Sequence, residues 1–349
     1  MASFDAITNA AVIAAGKAVA HSTEYVYESK AITVEHDGWL KMRILSAGGG
    51  GARDTSSGYV EADIRPCNGG NGGNVAITNW LKVNKGDSVL LTIPAGGAGA
   101  TSATLASPGG SASVALNGQQ LIIVPGGNAG QRFETGSYGY RVNDENGDYT
   151  VTPAGSGLGL SVTWFKKGSR PSVYFNPNGY NSRVTGGGAA PIIKVDYEMP
   201  QYRTTSGTLS GASIYGTGAI GLFGGAGLFA PEMSSLLIVP HGATTPSTPE
   251  NPDGGFGVGG HEPAPNTYAG AGKPGGAGGF GAGGGVGSSW YVTSAYSRYQ
   301  CGPGGPGGFG GGGGAGRIVY HTTNNTSTPS NGGAGGQGFI TLEWRHIMK

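Results

Sequence analysis

The chain has 349 residues and a formal net charge of +1, from 21 basic and 20 acidic side chains. This balance excludes the strongly basic surface typical of nucleic-acid-binding proteins, so we expect no nucleic-acid partner. Glycine contributes 73 residues, and charged residues make up 12% against a typical share of about 25%, which argues against a solvated, disordered chain.

The two cysteines, Cys67 and Cys301, lie far apart and lack the spacing of a zinc site or a disulfide framework, so free thiols are expected. The first residues contain no apolar run typical of a signal peptide. We find no stretch of about 20 apolar residues either, and therefore expect no membrane insertion.

Residues 3–20 predict an α-helix, because Ser3 can cap it, Asp5 suits its positive N-terminal end and alanine dominates. Along one side of this helix, residues at alternating three- and four-residue spacing are Phe4, Ile7, Ala11, Ala14 and Ala18. Small residues at such spacing allow close packing against another helix, which predicts a docking element for a partner protein. The alternative is a helix packed on its own domain.

From residue 24 the pattern predicts strands, at 31–36, 39–46, 74–83, 88–93, 113–116 and 119–124. Asn117-Gly118 predicts a two-residue hairpin turn between the last two. Further strands are predicted at 159–166, 172–175 and 192–197, with another hairpin around Asn146-Gly147. Several strands run directly into glycine-rich segments, so strands and glycine segments are expected to interleave.

Triplets of the form X-Gly-Gly recur in register at 274–285, 303–314 and 331–338. A period of three matches a polyproline II-type helix, in which every third side chain points the same way. Each twelve-residue run would span roughly 37 Å as one rod. With two bare glycine edges, such rods could bond laterally, which predicts a polyglycine II bundle; the alternative is a flexible linker.

The predicted fold class is mainly β: β-sandwich-like strands interleaved with a polyglycine II bundle, plus a short N-terminal α-helix. We predict a docking helix at 1–22, a β-rich glycine-interleaved domain at 23–130, an inserted β-rich lobe at 131–233, and a bundle with aromatic loops and a closing strand at 234–349.

Motifs for catalysis are weak. Gly270-Ala-Gly-Lys273 lacks the full phosphate-loop spacing, and Asp144–Asp148 fits a polar hairpin turn better than a calcium loop. The six histidines show no paired spacing that favours a metal site. We therefore expect no enzyme activity, no cofactor and no bound metal.

Aromatic residues in segments bounded by glycine runs are the stronger functional signal. The predicted receptor-binding residues are Trp290, Tyr291, Tyr296 and Tyr299 in 288–300, Tyr320 in the next connection, and a second group of Tyr138, Tyr140, Tyr174, Phe175 and Tyr180. Tyr and Trp supply large contact areas at low entropic cost. The alternative is that they cap the ends of the bundle.

The strand that enters Gly48–Gly51, the segment 85–99 and the terminal 332–344 resemble the glycine-rich domains of phage tail-fibre proteins. The Pro-Gly-Gly runs at 274–285 and 303–314 are also similar to those of T-even-type tail-fibre tip adhesins, which stack polyglycine II helices. The resemblance implies a tail protein of the virion, assembled in the host cytoplasm.

The same resemblance implies an adhesin that docks through its N-terminal helix on a phage tail or fibre protein. It would bind a bacterial surface protein or glycan, either as a monomer or as a homo-oligomer. Alternatives are a non-adhesive structural virion protein (fibre, baseplate or capsid decoration) and, less favoured, an ice-binding protein. A similarity to the glycine-rich domains of some animal receptor kinases fits poorly with the missing signal peptide.

Overall fold

The computed structural model describes residues 18–53, 68–131, 143–171, 173–174, 183–184, 186–190, 274–285, 287, 302–316, 318–321 and 326–348. The strands in chain order are β1 (Ala18–Val26), β2 (Lys30–Thr33), β3 (Gly38–Leu45), β4 (Val75–Thr78), β5 (Leu81–Val83), β6 (Ser88–Thr92), β7 (Ala112–Leu116), β8 (Gln119–Val124), β9 (Thr150–Val151), β10 (Val162–Lys166), β11 (Val173–Tyr174), β12 (Arg183–Val184), β13 (Ile318–His321), β14 (Thr326–Pro329) and β15 (Phe339–Met348). One short helix, α1 (Pro153–Gly157), is described.

Two antiparallel sheets form the β-rich body. The first has the order β1-β15-β3-β4-β10, with β5 also paired to β3, and the second has the order β2-β6-β7-β8-β9. Buried and half-buried side chains alternate along β3, as expected of a strand with one face in a core. The hairpin predicted at Asn117-Gly118 is confirmed: both residues have positive φ, 51° and 78°, as a type I′ turn requires.

The two sheets share one hydrophobic core. The first contributes Leu40, Met42, Ile44, Ile340 and Leu342; the second contributes Val89, Leu91, Val114, Ile122 and Val124. All ten of these side chains are buried. The mainly β prediction is therefore confirmed.

The helix predicted over 3–20 is wrong at its C-terminal end, because residues 18–20 belong to β1. Ala18 pairs with Met348 and Ala20 with His346 in an antiparallel ladder with β15. Tertiary pairing of this kind overrides the helix propensity of alanine. Phe4, Ile7, Ala11 and Ala14 lie outside the described residues.

Across the described part of the chain, no helix has the length and apolarity needed to cross a membrane.

We call the two packed sheets the sandwich. At one end of it, strands continue directly into glycine-rich segments. Backbone hydrogen bonds join these segments into what we call the glycine network, formed by 47–53, 68–74, 94–101, 107–111, 125–131, 167–171, 186–190, 274–279, 282–285, 302–308, 311–316 and 331–338. These bonds run between segments. The network therefore satisfies the buried N–H and C=O groups that a helix or sheet would otherwise pair.

Segment 47–52 shows how these bonds are arranged. Its N–H groups donate in a three-residue step: Gly48 and Gly51 to 333–336, Gly49 and Ala52 to 68–71, and Ala47 and Gly50 to 107–110. Its six carbonyl groups accept from 97–100, 127–130 and 313–316. The segment is thus bonded to six neighbours. Segment 311–316 is likewise bonded to six: 47–52, 70, 187, 284, 305–308 and 333–336.

The runs 274–285 and 303–314 were each predicted to form one rod, and this is wrong. Each folds back halfway, at Phe280-Gly281 and Phe309-Gly310, where the glycine φ angles are 77° and 68°. The N–H of Ala282 donates to the carbonyl of Gly279, which closes the first turn. Only glycine adopts such angles without strain, so the Phe-Gly pair marks the reversal.

The two turn phenylalanines pack where the glycine network meets the sandwich. Phe280 and Phe309 have ring centroids 5.2 Å apart, and both contact Phe339 at the start of β15, at 5.5 and 6.1 Å. They adjoin a second buried cluster that includes Leu45 and Val75. Aromatic contacts at these distances fix the network on the body.

Buried asparagines form a ladder inside the glycine network. Asn68, Asn71 and Asn74 from one segment alternate with Asn143 and Asn146 from another, and all five are buried. The amide bonds run from Asn68 to Asn143 (3.0 Å), Asn143 to Asn71 (2.9 Å), Asn71 to Asn146 (2.9 Å) and Asn146 to Asn74 (2.7 Å). The hairpin predicted around Asn146-Gly147 is therefore wrong: Asn146 lies in a segment that forms neither strand nor turn, and its side chain is buried.

His346 lies at the end of the sandwich opposite the glycine network. Its ring stacks on Trp344 and lies 5.6 Å from His36, and its Nε2 lies 3.3 Å from the Ser22 hydroxyl. Burial, and then the nearby His36, lower the pKa of His346, while Glu35 acts in the opposite direction.

We expect this lowered pKa to make stability depend on pH. Because the unfolded chain then binds more protons than the folded one, the free energy of unfolding should fall as pH drops below about 6.5. His346→Gln should flatten this dependence in urea unfolding between pH 5 and 8. His21→Gln, at an exposed position of β1, is the control; an unchanged slope in His346→Gln would contradict the assignment.

Candidate functional site

The glycine network has two different ends. At the proximal end its segments join the strands of the sandwich. The distal end is defined by the residues where the segments stop: Ala52, Asn68, Ala100, Gln131, Gly302, Gly316 and Asn331. Four of them lie at one level, because Gly316 donates to Ala52, Ala52 to Asn68 and Asn68 to Gln131, at 2.9, 2.8 and 3.1 Å.

The chain repeatedly leaves and re-enters the network at this distal end. It leaves at Arg53 and re-enters at Asn68, whose carbonyl accepts from the N–H of Ala52. It leaves at Gln131 and re-enters at Asn143, whose Oδ1 lies 3.2 Å from the Gln131 nitrogen. Because exit and entry are neighbours, each connection has both ends held close together.

The same holds for the connections between the long glycine runs. A Cβ placed on Gly287 would collide with the carbonyl of Gly302, so those two positions are adjacent. Gly316 and Ser330 are adjacent by the same criterion, and the Ser330 hydroxyl donates to the carbonyl of Gly302 at 2.7 Å. Fixed anchors of this kind are typical of binding loops on a rigid scaffold.

Seven of the ten predicted receptor-binding residues belong to these connections, and the other three, Tyr174, Phe175 and Tyr180, belong to 172–185. Trp290, Tyr291, Tyr296 and Tyr299 lie between Gly287 and Gly302, outside the described residues. Tyr138 and Tyr140, and likewise Phe175 and Tyr180, are also outside them. Tyr320 lies in β13, where it pairs with Ser327 of β14, and Tyr174 lies in β11, where it pairs with Arg183 of β12. That the side chains of these predicted residues meet a receptor stays a prediction.

One further connection is described together with its side chains. The 101–107 loop joins 94–101 to 107–111 at the distal end. Leu105 in this loop is 75% exposed. Sequence analysis missed it, because a lone leucine among Thr, Ser and Ala carries no pattern of its own.

The composition of the connections is a second signal that the aromatic pattern alone did not capture. The five stretches 54–67, 132–142, 172–185, 288–301 and 317–330 hold nine of the sixteen tyrosines: Tyr59, Tyr138, Tyr140, Tyr174, Tyr180, Tyr291, Tyr296, Tyr299 and Tyr320. They also hold six arginines and no lysine. Enrichment in Tyr and Arg with depletion of Lys is typical of protein interfaces.

The acidic stretch that includes Glu145 and Asp148 lies beside the asparagine ladder. Lys167 Nζ lies 3.5 Å from Glu145 and 3.1 Å from Asp148, and Arg170 lies 3.1 Å from Glu145. These cations balance the carboxylates. Within the described ranges, no group of three or more His, Cys, Asp or Glu residues could hold a metal ion.

Comparison with protein-family models and with curated protein sequences finds no match to this chain.

Proposed function

We propose that the protein is a receptor-binding protein of a bacteriophage tail fibre or tail tip. One observation supports this most: the connections 132–142, 288–301 and 317–330, which carry most of the predicted aromatic residues, are anchored at the distal end of the glycine network. Their richness in Tyr and Arg suits recognition of a bacterial surface protein or glycan. The resemblance to tail-fibre tip adhesins agrees with this proposal.

We further propose that the network segments are polyglycine II helices. A left-handed helix with three residues per turn has no internal hydrogen bonds and offers its peptide groups to neighbours in three directions. The three-residue donation step of 47–52 and its six bonded neighbours support this. Such a bundle would hold the connections at fixed positions.

The remaining parts of the proposal concern assembly. The N-terminal segment would dock on a phage tail or fibre protein, and the chain would work in the virion tail after assembly in the host cytoplasm. We propose that it acts by binding, without turnover and without a cofactor.

A structural virion protein of the fibre, baseplate or capsid is the alternative; it would bind other virion components but no susceptible cells. An ice-binding protein would need a regular face of small or Thr residues, and the repeat positions Pro274, Ala277 and Phe280 are too mixed for that.

Replacing Trp290, Tyr291, Tyr296 and Tyr299 together by alanine is expected to weaken binding to susceptible bacteria about 100-fold or more, because interface aromatics carry most of the binding energy. Binding of fluorescently labelled protein to a panel of bacterial strains measures this. Tyr25→Ala is the matched control, since Tyr25 is 57% exposed but lies on β1 of the sandwich. Unchanged binding by a folded quadruple variant would reject these residues as the site.

A further inference from the structure

The 101–107 loop is held in one conformation by its own hydrogen bonds. The Thr101 N–H donates to the carbonyl of Thr104 at 2.9 Å, and the Thr104 N–H donates to Thr101 Oγ1 at 3.1 Å. Below the loop, Ser107 and Ala98 exchange two bonds, of 3.0 and 2.8 Å. The loop is therefore already ordered before it contacts a partner.

This ordered loop presents a large apolar side chain to solvent. Leu105 is 75% exposed, more than Leu90 (47%) or Leu158 (49%) on the sandwich. Its side chain contributes little to the folded core, yet burial of a leucine in an interface stabilises a complex. Because the loop is rigid, it loses little conformational entropy when Leu105 is buried against a partner.

The 101–107 loop itself contains no charged residue. No charged side chain occurs anywhere in 88–131, and the loop neighbours Ala103 and Ala106 are small. A charged polysaccharide would therefore find no ion-pair partner in this stretch. An aliphatic side chain among small residues instead fits an apolar pocket on a folded protein.

We propose that Leu105 is an apolar anchor of the distal binding surface and that the molecule it contacts is a protein of the bacterial surface. This inference rests on the proposed function and deepens it, since it selects protein over glycan as the receptor class for this part of the surface.

Leu105→Ala should weaken binding of the labelled, full-length protein to intact cells about tenfold, with unchanged unfolding in urea. The loss should be the same at low and high salt, because no charge is involved. Leu158→Ala is the matched control: it removes an equally large exposed side chain just after α1, on the sandwich, and should bind as wild type does.

Treating the cells separates the receptor classes. Protease treatment should abolish the difference between wild type and Leu105→Ala, whereas periodate oxidation of surface glycans should leave it intact. Wild-type affinity in Leu105→Ala, or an effect that survives protease and disappears after periodate, would overturn the inference. If Leu105→Ala binds normally while the quadruple aromatic variant does not bind, the proposed function survives. If wild type binds no strain in the panel, both fail.

Discussion

Gly313→Ala is expected to lose on the order of 4 kcal/mol of folding free energy, a large share of the roughly 5–15 kcal/mol that stabilises an ordinary protein. Gly313 lies in segment 311–316, which is bonded to six neighbours. A Cβ there would overlap the carbonyl oxygen of Gly333 and lie 2.5 Å from its carbonyl carbon. Backbone cannot rotate away as a side chain can, so the bonds to 49 and 70 must lengthen or break.

Two other glycines provide matched controls for this prediction. A Cβ on Gly147 would lie 3.5 Å from Pro125, and one on Gly157 in α1 would have nothing within 4 Å. Gly147→Ala and Gly157→Ala should therefore change urea unfolding by less than about 1 kcal/mol. A Gly313→Ala variant as stable as these controls would show that the segments do not pack as closely as described.

Asn71→Asp should cost about 3 kcal/mol or more at neutral pH, although it changes only one amide to a carboxylate. The Asn71 amide donates to Asn146 Oδ1 and to the carbonyl of Asp144, at 2.9 and 2.8 Å. A carboxylate cannot donate and would face those oxygens as a buried negative charge. The free energy of unfolding at pH 7 measures the loss.

The pH dependence of this variant makes the test specific. Burial against two acceptor oxygens should raise the pKa of the carboxyl group in Asn71→Asp, so the folded state binds more protons than the unfolded chain. The variant should therefore recover part of its stability as pH falls toward 4. Asn84→Asp, at an exposed position after β5, should be near neutral. An equal effect at both positions would rule out a special role for the ladder.

Strand positions and the β7–β8 hairpin could be predicted from sequence because their signals are local. Alternation along β3 and the Asn-Gly turn act within a few residues. The three-residue glycine rhythm also pointed to segments bonded to one another rather than internally. The domain boundaries, including that at residue 233, stay a prediction.

The parts of the fold that could not be predicted from the sequence depend on pairing between segments that are far apart in the chain. Residues 18–20 became strand because β15, more than 300 residues later, pairs with them. The asparagine ladder joins 68–74 with 143–146, and neither stretch alone shows that the other exists. At the candidate site, the connections could be named from composition, but their shared position at the distal end required the hydrogen bonds of the network.

The position of β15 between β1 and β3 has a consequence for biosynthesis. The first sheet cannot reach its final order until residues 339–348 have left the ribosome, so β1 and β3 must wait until β15 has been synthesised. Such sequence-distant pairing slows folding. We therefore expect nascent chains to depend on chaperones until translation has passed the last strand.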